Sequence, residues 1–261
     1  MELEKNTRSW FKLKKSTKLA VSFFVLFSFY HLAEYMIIFR NNATGFLIFQ
    51  LLFFLSAFLL GNWYNSDGLA VWGLTRKLKL SHLLMGIILG IAIYAVPYFI
   101  SVATGNEIIT EIPNFTSILS SSLPFAFGVL FSSFSEDILT RGLIFAGFKN
   151  KLKPFWLGLL SALVYLLNHI YRLADGPEAW LYLFLLGIIF VIPLLYTRQL
   201  WLTGMMHWAG NLFFFIAHEV ITTETSAGWI NPNYLFSCCL ILFIPVVWFI
   251  SKRLVPKRAE F

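Results

Sequence analysis

Phe134-Ser135-Glu136-Asp137-Ile138-Leu139-Thr140-Arg141-Gly142-Leu143 places two adjacent carboxylates and an arginine in a segment otherwise as apolar as a membrane span. Residues 125–131 before it and 143–148 after it carry no charge. Ionisable side chains at such depth are costly, and their default reading is functional, with a partner to be found. On a helix, Asp137 and Arg141 stand four apart on one face and pair. Glu136 points about 100° away from that pair, which leaves it as the carboxylate free for chemistry.

Composition sets the class around this stretch. Hydrophobic residues make up 58% of the 261-residue chain and charged residues only 13%, about half the charged share of a soluble protein. The fold class predicted is all-α: a polytopic membrane helix bundle of about eight transmembrane helices, with the lipid bilayer as its first partner. The net charge of +7 does not point to nucleic acid, because the basic residues lie between apolar runs rather than on one soluble face. Cys238 and Cys239 are adjacent within an apolar run, so they form no disulfide framework.

Apolar runs place spans at about 19–39, 44–62, 81–102, 117–148, 154–170, 179–197, 199–219 and 233–251. The first is too long for a signal-peptide core and is read as uncleaved. The start of the fourth is ambiguous, since Ser120-Ser121-Ser122 before Pro124 is a second N-terminal signal. With eight spans and a cytoplasmic N-terminus, 17 of the 20 Lys and Arg fall on the cytoplasmic side. Arg40 and Arg172 fall outside, and Arg141 lies within the membrane. The positive-inside rule asks for such a bias. Both termini are therefore expected in the cytoplasm of a multi-pass cell-membrane protein, its compact size suggesting a bacterial inner or plasma membrane. Three parts are expected: residues 1–74 (a basic segment with Lys5, Arg8 and Lys12, and two spans), 75–220 (the core with the polar groups) and 221–261 (a last span and a basic tail with Lys257 and Arg258).

Inside the spans the polar residues gather at one level. Counted from the cytoplasmic ends, Glu136 lies about 12 residues deep, His169 about 15, His207 about 8 and Asn211 about 12, which at ~1.5 Å per residue is within roughly 10 Å of a common depth. His207 and Asn211 are four apart and project from one face; Tyr165 stands four before His169. A carboxylate and a neutral imidazole can hold and deprotonate water for attack on a carbonyl. A second imidazole and a carboxamide are suitable donors to the resulting oxyanion. An alternative set is a divalent metal such as zinc on Glu136, His169 and His207 with an open position for water. Either way the reaction is amide hydrolysis within the membrane, at a site placed toward the cytoplasmic leaflet.

Glu136-Asp137-x-x-x-Arg141-Gly142, then Tyr165-x-x-x-His169, then His207-x-x-x-Asn211 resembles the three-motif signature of the CAAX protease and bacteriocin-processing (CPBP, or Abi) intramembrane proteases. The resemblance covers residues 75–220 and is specific as a trio. It implies that Glu136 is the catalytic glutamate, His169 its partner in activating water, and His207 with Asn211 the oxyanion-binding pair. Asp137, Arg141 and Tyr165 are implied as supporting residues. Asp137 stands where the family pattern has a second glutamate, and Tyr165 where phenylalanine is commoner. The implied substrate is a membrane-associated peptide or protein, lipid-modified or not. The family admits both metal-dependent and metal-free schemes, and members without evident peptidase activity.

Two rival classes stay open on sequence alone. A proton-coupled transporter would carry inverted repeats or broken helices in matched halves, and none is visible. A non-enzymatic scaffold or bacteriocin-immunity protein would tolerate alanine at all four site positions. Other polar residues read as structural: His31 with Glu34 as a local pair, His82 as interfacial, and His218 as a loop-end residue.

Overall fold

A computed structural model describes residues 13–226 and 228–254. Lys5, Arg8, Lys12, Lys257 and Arg258 lie outside them. The chain divides into two units, Met1–Val71 and Trp72–Phe261.

The first unit holds α1 (Lys15–Ile38) and α2 (Ala43–Asn65), packed as an antiparallel pair. Asn42 caps α2, its side-chain oxygen accepting the amide of Gly45 at 2.8 Å and so satisfying one of the donors a helix start leaves free. His31 and Glu34 pair at 2.7 Å, as their spacing suggests.

The second unit contains the bundle: α3 (Leu80–Ala103), α4 (Phe115–Asp137), α5 (Leu143–Phe148), α6 (Pro154–Asn168), α7 (Pro177–Thr197), α8 (Trp201–Phe215) and α9 (Pro232–Arg253). Proline opens α6, α7 and α9, where its missing amide costs nothing and its fixed φ suits the first turn. Asn114 caps α4 by accepting from the Ser117 amide at 2.9 Å. That cap resolves the ambiguous start in favour of Phe115, and Pro124 lies inside the helix. A π-helical turn, Ile138–Gly142, joins α4 to α5, so residues 115–148 form one 34-residue apolar rod. Among the described residues, six helices are long and apolar enough to cross a membrane. The other two expected spans are α6 and α8, of 15 residues each, short of the ~20 residues that a hydrocarbon core requires. A π turn, Ile216–Val220, extends α8.

α3 and α8 run parallel and touch through small residues. A methyl group on Gly86 would lie 2.7 Å from the Leu202 carbonyl oxygen, and one on Gly90 would meet the Met206 carbonyl and, at 3.0 Å, the Gly210 amide. Such close backbone approach is how helices associate where lipid removes the hydrophobic drive between them. Tryptophans on α8 add cross-helix hydrogen bonds: Trp201 Nε1 donates to the Thr75 carbonyl and Trp208 Nε1 to the Ala126 carbonyl, each at 2.8 Å. α7 is the central helix, with Ile189, Phe190 and Leu194 fully buried. A small sheet stands beside the helices: β1 (Glu107–Glu111) pairs antiparallel with β2 (Thr222–Thr225), Glu107 opposite Thr225. Both strands fall in stretches expected to be loops. His82, expected at the interface, is buried.

Gly90→Ala is expected to cost about 1–3 kcal/mol through overpacking, seen as a lower melting temperature in detergent. Gly158→Ala, whose methyl would make an ordinary 3.6 Å contact with Val191, should be neutral or stabilising, because alanine suits a helix interior better than glycine.

Candidate active site

Three helices supply the site. Glu136 and Asp137 end α4, the backbone then running into the π turn with the Thr140 hydroxyl donating back to the Glu136 carbonyl at 2.8 Å. Such turns recur at functional sites because they shift side chains out of the regular helical register. α6 stops at His169, whose backbone leaves the helical region (φ −81°, ψ 52°). His207 lies mid-way along α8, and Asn211 one turn further on.

Glu136 is 5% exposed, and each of its oxygens faces a different helix. Oε1 accepts a hydrogen bond from Asn168 Nδ2 at 3.1 Å and lies 3.6 Å from His169 Nδ1. Oε2 lies 3.5 Å from His207 Nε2. Those separations exceed a direct hydrogen bond, so both imidazoles flank the carboxylate without being tied to it. His207 Nδ1 is 3.2 Å from Asp137 Oδ1, which assigns its proton to Nδ1 and turns the Nε2 lone pair toward Glu136. The ring stacks on Phe190 at 4.7 Å. His169 Nδ1 lies 2.8 Å from the Tyr165 carbonyl and donates to it, leaving Nε2 as an acceptor.

Asp137 and Arg141 form the expected ion pair, with no exposure of either side chain. Arg141 lies over the Tyr165 and Phe190 rings at 4.5 and 5.1 Å, so cation–π attraction replaces part of its lost hydration. It also donates to Thr140 Oγ1 at 3.1 Å, while the Thr140 carbonyl accepts from the Ser161 hydroxyl at 2.9 Å. The arginine stands behind Asp137, which in turn holds His207. Glu136, His169 and His207 are thus brought together, with Asp137, Arg141 and Tyr165 around them. The sequence reading missed Asn168 as the direct partner of Glu136. Its position beside His169 was the available signal.

Asn211 stands apart from this cluster, on the wall of a cavity of about 320 Å³ that it shares with Tyr165 and His169. Glu136 and His207 do not line it. The cavity runs from His169 and Asn211 past Tyr94 and Tyr182 to Arg172, Thr225 and Asn231 at the loop ends. It therefore extends from the level of His169 away from the basic end of the bundle. His218, read as a loop end, also lines it, with Nε2 3.1 Å from Glu107 Oε1.

Among the described residues, no three His, Cys, Asp or Glu side chains are arranged to hold a metal ion. His207 turns its Nε2 lone pair to Glu136, but the His169 nitrogen nearest Glu136 is Nδ1, whose proton goes to the Tyr165 carbonyl, so Glu136, His169 and His207 do not aim three lone pairs at one point. In this arrangement they do not fit the zinc set.

Removing Arg141 alone (Arg141→Met) leaves Asp137 buried without its counter-charge and is expected to cost about 3–5 kcal/mol. Removing both charges (Asp137→Leu with Arg141→Met) should cost less, as thermal unfolding in detergent will show. Glu107 lies outside the membrane-spanning helices. Burial pushes its carboxyl up, and the His218 hydrogen bond and charge outweigh that and hold it below the usual range. A depressed carboxyl stabilises the fold above the unfolded value, and that contribution is lost as pH falls through the folded value. Acidification should therefore lower the protection factors of the β1 amides once their intrinsic pH dependence is removed, and His218→Ala should weaken that loss.

No curated protein shows significant similarity to the chain. The family model described as type II CAAX prenyl endopeptidase Rce1-like matches residues 118–213, a segment that contains Glu136, Asp137, Arg141, Tyr165, His169, His207 and Asn211. The match covers little more than a third of the chain, and it falls on the three motifs whose resemblance is to that same family.

Proposed function

We propose that the protein is a CAAX-type intramembrane endopeptidase that hydrolyses a peptide bond of a membrane-associated peptide or protein with water activated by Glu136. The observation that carries the reading is the approach of one buried carboxylate to two imidazoles from two other helices, at 3.6 and 3.5 Å, beside a cavity that reaches the same level. The family match supports the reaction class. Its name makes a prenylated C-terminal motif one candidate substrate.

In this scheme water entering from the cavity is held by Glu136, with the His207 imidazole beside the same carboxylate. Glu136 takes its proton as the oxygen attacks the scissile carbonyl carbon, and the carbonyl becomes an oxyanion. Asn168 fixes the other carboxylate oxygen, so the base keeps its direction. His169, on the cavity wall, positions the water from the second side. The Asn211 amide, on the same wall, donates to the oxyanion. Collapse of the intermediate breaks the C–N bond, and the proton held by Glu136 passes to the departing amine. Asp137 keeps the His207 tautomer in place and Arg141 balances its charge; neither touches the substrate. No metal is required by the donors present.

Glu136→Gln and His169→Ala should abolish cleavage of a membrane-tethered reporter peptide by purified protein while leaving the melting temperature close to that of the parent. Asn211→Ala should lower kcat about a hundredfold or more. Full turnover by the Glu136 variant would overturn the scheme.

A further inference from the structure

The second unit has two chemically opposite ends. At one end lie the 72–80 connector, the 149–153 turn, Arg198 and the Lys252–Arg253 terminus of α9, which together hold nine Lys and Arg and, among the described residues, no carboxylate. Contacts fix this as a single end, since the Leu200 amide donates to the Gly73 carbonyl at 2.9 Å and Trp201 reaches Thr75. The other end carries Glu107, Glu111, Asp175, Glu178, Glu219 and Glu224 against a single base, Arg172. The β1–β2 sheet and the start of α9 hold that end together: the Ser226 amide donates to the Asn106 carbonyl at 2.9 Å, and the Ile230 amide to Asn106 Oδ1.

The cavity belongs wholly to the acidic half. Its deep residues, Tyr94, Tyr165 and Leu183, are buried, whereas Arg172, Thr225 and Asn233 at its rim are exposed. Short loops rich in Lys and Arg stay in the cytoplasm during insertion, so the cavity's mouth lies on the opposite side.

We propose that the candidate active site is reached from the non-cytoplasmic face, and that its substrate is a peptide presented outside the cytoplasm rather than the tail of a cytosolic protein. At the end where the cavity opens six carboxylates, Glu107 on its wall among them, outnumber Arg172, and a field of one sign near a low-dielectric cleft concentrates ligands of the other sign. The favoured substrate is therefore cationic near its scissile bond. This inference rests on the peptidase reading for what happens after binding, but the orientation stands independently of it.

Two measurements on the full chain separate these claims. Single cysteines are placed at Ile112, exposed at the acidic end, and Asn150, exposed at the basic end, with the parent chain, whose Cys238 and Cys239 lie within α9, as the blank. In intact spheroplasts a membrane-impermeant maleimide should label Ile112→Cys, and should label Asn150→Cys only after permeabilisation; the reverse pattern overturns the proposal. In right-side-out vesicles an impermeant lysine-flanked reporter peptide should be cut, and at low ionic strength about tenfold or more faster than a glutamate-flanked one. Cleavage confined to inside-out vesicles overturns the access route, and equal rates for the two reporters overturn the charge preference. The predicted labelling pattern in a protein that cuts nothing even in detergent would overturn the peptidase reading while upholding the orientation.

Discussion

Burying the Glu136–Asp137 carboxylate pair in a helix bundle is the constraint to which the rest of the second unit answers. A lone carboxylate in such surroundings carries a desolvation cost of several kcal/mol, and two side by side also repel. The fold separates them. Asp137 is turned to Arg141 and to the imidazole of His207, whereas Glu136 is turned to Asn168 and the space between two histidines. One carboxylate is neutralised by a fixed cation, and the other is held by neutral donors. That division suits one residue to structure and the other to proton transfer.

The packing around the site follows from this arrangement. Arg141 is fully buried and is enclosed by the Tyr165 and Phe190 rings. Phe190 also supports the His207 ring, so one aromatic side chain on α7 fixes two polar groups from two other helices. α8 must come close enough to α4 for His207 to reach Asp137, and the glycines allow it: Gly204 faces the Phe134 ring, and Gly86 and Gly90 let α3 support α8 from behind. Small residues, aromatic rings and one arginine together set the positions of the reacting groups.

Much of this was legible in the sequence because helical periodicity carries it. The separation of Glu136 from the Asp137–Arg141 pair follows from 100° per residue. The common depth of Glu136, His169 and His207 follows from 1.5 Å per residue and the span directions. What local periodicity does not encode was not legible. The π turn at 138–142 leaves no local signature. The contact of Asn168 with Glu136 depends on α6 ending at His169, and the β1–β2 pairing joins segments more than a hundred residues apart. Asn211 shares a helix face with His207, yet it belongs to the cavity wall rather than to the carboxylate cluster. The depth count also located the reacting groups without showing which way the open space ran, because a cavity is a property of several helices at once.

The central claim is that Glu136 works as a base on water rather than as a nucleophile. A single turnover in H₂¹⁸O with enzyme in excess over a membrane-tethered peptide tests it directly, by mass analysis of the newly formed carboxylate and of the tryptic fragment containing Glu136. The account predicts one ¹⁸O atom in the product of that first turnover and none in Glu136. An unlabelled first-turnover product, or ¹⁸O in the Glu136 carboxylate, would contradict it.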